Sequence, residues 1–92
     1  MRHKPRRSKL RILVDILKVM YDEGETKITQ ILYGANLSYD RLVKYLEELE
    51  SLGLIEKKNN HGSRYYLTKK GRDFLNEFKK IEKFVKAFGI EI

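Results

Sequence analysis

Between residues 54 and 67 the apolar pattern changes period, and no other feature constrains the architecture of this chain so strongly. On either side, apolar residues recur every three and four positions, as on one face of a helix. Within it, Leu54-Ile55-Glu56-Lys57-Lys58 and Arg64-Tyr65-Tyr66-Leu67 read as short strands. They flank Asn59-Asn60-His61-Gly62-Ser63, a run of turn-forming residues, and so predict a β-hairpin with a five-residue tip. The chain is therefore mainly α (α+β), with one hairpin set among helices.

The helical segments have legible ends. Pro5 lacks an N–H, which costs nothing at a helix entry, and Leu10, Ile12, Leu13, Ile16, Leu17, Met20 and Tyr21 follow at helical spacing. A first helix is expected from about Arg6 to Tyr21, stopped at Gly24. Thr26 is a candidate N-cap for a short second helix from Lys27 to about Tyr33, with Ile28, Ile31 and Leu32 inward and Gly34 as a left-handed stop. After Ala35-Asn36-Leu37, Ser38 caps a third helix over 38–52, lined by Leu42, Tyr45, Leu46, Leu49 and Leu52. Asp40 complements its dipole, and Gly53-Leu54 makes a Schellman stop. Thr68 caps a fourth helix from Lys69 to about Phe88, closed by Gly89.

Helix, helix, three-residue turn, helix, basic hairpin, helix is the order of a winged helix-turn-helix. A helix about 10–12 Å across fits the roughly 12 Å major groove of duplex DNA. In this arrangement the third helix presents its N-terminal half to the groove.

Charge points the same way. The chain has 20 Lys and Arg against 13 Asp and Glu in 92 residues. Residues 1–11 and 57–72 carry twelve of the basic groups and no acid, whereas the remainder holds eight basic and thirteen acidic residues. Two acid-free basic segments around a slightly acidic body have the form of a polyanion footprint. The residues expected at duplex DNA are Arg6 and Arg7 of the arm, Ser38, Tyr39, Arg41 and Lys44 of the third helix, and Lys57, Lys58, His61 and Arg64 of the wing (57–64). Arg41 suits either a bidentate grip on guanine or a phosphate. Tyr39 borders the core, and both a structural and a backbone-contacting role remain open. The far end of the third helix, Glu47, Glu48 and Glu50, would be repelled by phosphates.

The stretch Ala35-Asn36-Leu37-Ser38-Tyr39, with Leu42, Tyr45-Leu46, Leu49, Gly53-Leu54-Ile55, Tyr66-Leu67-Thr68, Lys70-Gly71 and Phe74-Leu75, resembles the small archaeal winged-helix proteins. These include the Sulfolobus chromatin-associated type and related transcriptional regulators. The resemblance covers roughly residues 8–88. It implies DNA binding through the third helix and wing, and dimerisation through an antiparallel coiled coil of the last helix.

The last helix suggests dimerisation on its own spacing. Phe74, Phe78, Ile81, Val85 and Phe88 fall four, three, four and three apart, and Leu75 and Phe84 widen the stripe. The expected homodimer interface is Phe78, Ile81, Phe84, Val85 and Phe88. Folding back onto the first helix is the alternative, because the seam is shorter than the about three to four heptads of a clear coiled coil. The organisation expected is a flexible basic arm (1–5), a DNA-binding winged helix (6–68) and a C-terminal dimerisation helix (69–92).

Other classes find little support. Cysteine is absent, which excludes disulfides and thiolate metal sites, and His3 and His61 are too few for zinc. No apolar run approaches the about 20 residues of a membrane span. There is no phosphate-binding glycine loop and no histidine beside a plausible nucleophile, so neither enzyme nor cofactor is expected. The expectation is a cytoplasmic, nucleoid-associated DNA-binding protein, either regulatory or architectural. A winged helix that binds another protein of the transcription machinery is the alternative.

Overall fold

A computed structural model describes residues 6–59 and 61–92. The expected arm, residues 1–5, and Asn60 of the hairpin tip lie outside the described residues. The elements follow one another as α1 (Lys9–Glu23), α2 (Ile28–Gly34), α3 (Tyr39–Ser51), β1 (Ile55–Lys58), β2 (Arg64–Leu67) and α4 (Lys69–Lys86). None of these helices is long and apolar enough to cross a membrane.

Helix α1 begins three residues later than Pro5 and Arg6 suggested. The Ser8 hydroxyl oxygen accepts from the Arg11 N–H at 3.0 Å and so satisfies a free donor of the first turn, which proline cannot do. Ile12, Leu13, Val14, Ile16, Leu17 and Met20 are buried, while Leu10 and Tyr21 lie at the exposed margins of the stripe.

The second helix corrects two expectations. Thr26 is not its cap. Thr26 is fully buried and exchanges two main-chain hydrogen bonds with Tyr65, at 3.0 and 2.8 Å, as a one-residue third strand beside the hairpin. Lys27 is the N-cap residue, and the Gln30 side-chain oxygen accepts from its N–H at 2.8 Å. Nor is Gly34 the left-handed stop, which is Asn36 at φ 55°. Gly34 ends the helix in close contact with α1, where an added Cβ would come within 2.7 Å of Val19 Cγ2.

Ser38 caps α3 as expected, its hydroxyl oxygen accepting from the Arg41 N–H at 3.4 Å. Leu42, Leu46 and Leu49 enter the core. Leu52 was expected among them and is instead 47% exposed. The helix ends one residue before it, and a Schellman turn sends Leu54 inward in its place. There Leu54 N–H donates to Leu49 O, and Gly53 N–H to Glu50 O, each at 3.0 Å.

Strands β1 and β2 pair antiparallel, with Ile55 opposite Leu67, Glu56 opposite Tyr66, Lys57 opposite Tyr65 and Lys58 opposite Arg64. Helix α4 is started by Thr68, whose hydroxyl accepts from Gly71 N–H at 3.0 Å and donates to Gly53 O at 2.7 Å. Gly71 packs under the hairpin so closely that a Cβ there would collide with the Leu54 carbonyl oxygen. Leu75 and Phe78 complete the core. Phe78 was expected at a dimer interface. It is only 6% exposed, and the Arg11 guanidinium lies 5.3 Å above its ring, so its own chain already covers it. Beyond Phe78 the stripe opens: Ile81, Phe84, Phe88 and Ile90 are all more than half exposed, with Phe84 and Phe88 edge to face at 5.3 Å.

Candidate nucleic-acid interface

Helix α3 is held on the core by its leucines, and helical periodicity then fixes what its other faces carry. Asp40 and Lys44 point away from the core, Arg41 lies on one flank and Tyr39 on the other. The arm root runs along the Arg41 flank. There Arg6, Arg7, Lys9, Ile12, Arg41 and Tyr45 line a cleft of about 450 Å³. The hairpin runs along the opposite flank. Burial first, and then the nearby Glu50 and Tyr39, hold the Tyr65 hydroxyl above the usual tyrosine pKa, and Lys57 Nζ lies 6.0 Å from the Tyr65 ring. The arm root and the wing therefore stand on either side of one exposed helix.

The basic residues divide by what they touch. Among the described residues, no carboxylate lies within 4.0 Å of Arg6, Arg41, Lys44, Lys57 or Lys58. Arg41 and Lys44 are exposed, as are Ser38 and Tyr39, the last at 58%. Tyr39 is thus not a core residue. Lys9, by contrast, is paired with Glu48 at 2.7 Å, so the acidic end of α3 neutralises part of the arm root.

Arg7 was expected to meet DNA, and its guanidinium is committed within the chain. It donates to Asp15 Oδ2 at 3.0 Å, to Ala35 O at 2.6 Å and to Asn36 O at 2.9 Å. These three contacts run to α1 and to the turn before α3, and Arg7 also lines the cleft shared by Arg6 and Arg41.

The wing residues also separate. Alternation along the strands puts Lys57 with Tyr65 on the face toward α3, and Lys58 with Arg64 on the other. On that second face Lys58, His61, Arg64 and Tyr66 surround Glu25 in a cleft of about 240 Å³. Glu25 lies 4.0 Å from Arg64 Nε and accepts from the Tyr66 hydroxyl at 2.7 Å. The Lys58 ammonium sits 5.0 Å over the Tyr66 ring. Lys57, Lys58 and Arg64 are therefore not one cluster. Lys57 belongs to the α3 side, and Arg64 is partly compensated. Sequence reading missed Tyr45 as a wall of the arm cleft and Glu25 as the partner of the wing. Tyr45 was legible only as part of an apolar stripe, and Glu25 lies 41 residues from the hydroxyl it binds. Among the described residues no group of three or more His, Cys, Asp or Glu is placed to hold a metal ion.

A family model described as winged helix-turn-helix matches residues 6–86. Among solved structures the chain is similar to Sso10a-2, a DNA-binding protein from Sulfolobus solfataricus, at 31% identity and a TM-score of 0.71 over 90% of each chain. It shares its fold with a MarR-family transcriptional regulator from Silicibacter pomeroyi, at 22% identity and a TM-score of 0.67, over 72% of this chain and 47% of that one. It also shares its fold with BpsR from Bordetella bronchiseptica, whose DNA binding is regulated by 6-hydroxynicotinic acid. There the identity is 14% and the TM-score 0.75, over 83% of this chain and 57% of BpsR. No curated protein matches the chain.

Proposed function

This chain belongs to the winged helix-turn-helix family that includes the archaeal protein Sso10a-2, and from that premise we propose that it is a non-enzymatic regulator or architectural protein that binds duplex DNA as a homodimer. The observation that carries the reading is the exposed N-terminal half of α3, bearing Arg41 and Lys44, flanked by Arg6 on one side and Lys57 on the other. Helix α3 enters the major groove by that half. Ser38 and Tyr39 meet the sugar–phosphate backbone at its start, and Arg41 meets either a guanine edge or a phosphate. Lys57, and beyond it Lys58, His61 and Arg64, follow the backbone or the minor groove.

Dimerisation uses the outer half of α4. Ile81, Phe84, Val85 and Phe88 offer a second copy an apolar seam that the winged helix (6–68) leaves uncovered. Two reading heads related by a two-fold axis then address two half-sites. The basic residues preceding Arg6 extend the footprint, and the protein works in the cytoplasm on the nucleoid.

The test is titration of a labelled duplex by fluorescence anisotropy across a salt series. The logarithm of affinity should fall linearly with the logarithm of salt, by about 0.9 for each phosphate contacted. Affinity that ignores salt, or absence of binding at low salt, overturns the reading.

A further inference from the structure

Among the described residues Arg7 donates three hydrogen bonds within the chain, and its partners form a pattern. Two are consecutive carbonyl oxygens, of Ala35 and Asn36, in the turn that launches α3. The third is the Asp15 carboxylate on α1. Asn36 stands at φ 55°, a conformation few side chains other than asparagine tolerate, and both flanking carbonyls point at the arginine. Only a planar fork of donors reaches two neighbouring carbonyls and a carboxylate together. An ammonium is a point charge and does not reproduce that geometry.

From this arrangement we infer that Arg7 is a positioning residue for DNA binding: it fastens the arm root to the helix-turn-helix, so that Arg6 faces Arg41 across one cleft and a backbone phosphodiester is held between them. The inference rests on the DNA-binding reading above and specifies how the arm takes part in it. The latch joins the arm to the turn rather than to the distant wing. The arm root therefore moves with α3, and Arg6 meets the backbone in a fixed register with the groove. The cleft is shaped for this, since Arg6, Arg41 and Tyr45 border it without a carboxylate pairing either arginine. Arg7 also lines the cleft, but three of its five N–H donors are held by the protein, and its part is to fix Arg6 rather than to take the phosphate.

The experiment is the anisotropy salt series on the full chain, comparing Arg7→Lys and Arg7→Gln with a variant that neutralises the other arm cations (Arg2→Gln, Lys4→Gln and Arg6→Gln together), and with the combination of Arg7→Gln and those three. Arg7→Lys should lower the salt slope as much as Arg7→Gln does. In the neutralised background Arg7→Gln should change it no further. Without DNA, amide exchange at Arg6 and Ser8 should speed up in both single variants. A wild-type slope in Arg7→Lys, or a further drop of about 0.9 for Arg7→Gln in the neutralised background, makes Arg7 a direct contact and overturns the inference. Unchanged amide exchange overturns it without touching the DNA reading. Absence of binding by the wild-type chain overturns both.

Discussion

The Tyr66 hydroxyl donates to the Glu25 carboxylate at 2.7 Å, tying the outer face of the wing to the turn after α1. That hydrogen bond is the main reason the phenol stays protonated above the usual tyrosine pKa of 10.0; burial and the Glu25 charge add to it, and Arg64 opposes it. A raised folded pKa means stability that is complete below the unfolded value and lost as pH rises through the folded one. Glu25→Ala should bring the Tyr66 phenolate titration, followed by ultraviolet absorbance, back toward 10.0 and reduce the loss of stability in strong alkali. An unchanged titration would remove Glu25 as the cause.

Glu82 links the outer half of α4 to α1. Its bond to Arg11 holds its carboxyl below the ordinary carboxylate value, with the Arg11, Lys86 and Lys18 charges helping and burial opposing. A depressed folded pKa gives stability that is present above the unfolded value, near 4.5, and lost as pH falls through the folded one. Wild-type chain should therefore lose more melting temperature than Glu82→Gln when the pH is lowered from neutral into that acid range. Parallel losses would mean the pair contributes nothing to folding.

Two glycines are close-approach sites of different severity. Gly71→Ala pushes a methyl group into the Leu54 carbonyl, part of the backbone that carries the hairpin. It should destabilise at or beyond the upper end of the usual overpacking cost of about 1–3 kcal/mol, read by urea denaturation. Gly34→Ala meets only the tip of Val19, so its cost should be smaller, and Val19→Ala in the same chain should recover part of it. Equal, additive costs would contradict this.

These cases also show how far the sequence could be read. Ser38, Gly53-Leu54 and Thr68 carry their meaning within three residues, and all three caps form as their local chemistry dictates. Thr26 could not be placed in the same way. A threonine before a helix looks like an N-cap, whereas the hydrogen bonds it makes are to Tyr65, across the fold. The bonds of Arg7 were hidden for a related reason: in a run of basic residues nothing local separates it from Arg6, and its carbonyl partners lie 28 and 29 residues away. Periodicity found the whole apolar stripe of α4 but could not say where the chain's own core stops covering it. That boundary, between Phe78 and Ile81, depends on where Arg11 sits.

The seam beyond that boundary gives its own expectation. Phe84→Ser with Phe88→Ser should convert a sedimenting dimer into a monomer while leaving thermal unfolding of the winged helix cooperative, since neither ring lies in the core. A wild-type chain that sediments as a monomer at all concentrations would remove the dimer from the account.

The central claim is that one face, the start of α3, grips the duplex. It is tested most directly by two double variants that remove the same charge from different places: Arg41→Ala with Lys44→Ala, and Lys79→Ala with Lys80→Ala on the exposed side of α4. In anisotropy titrations at one fixed salt concentration, the α3 pair should weaken duplex binding by at least tenfold, a loss of about 1.4 kcal/mol or more, and the α4 pair by much less. Equal losses from the two pairs would mean that net charge, not this face, holds the DNA, and would contradict the account.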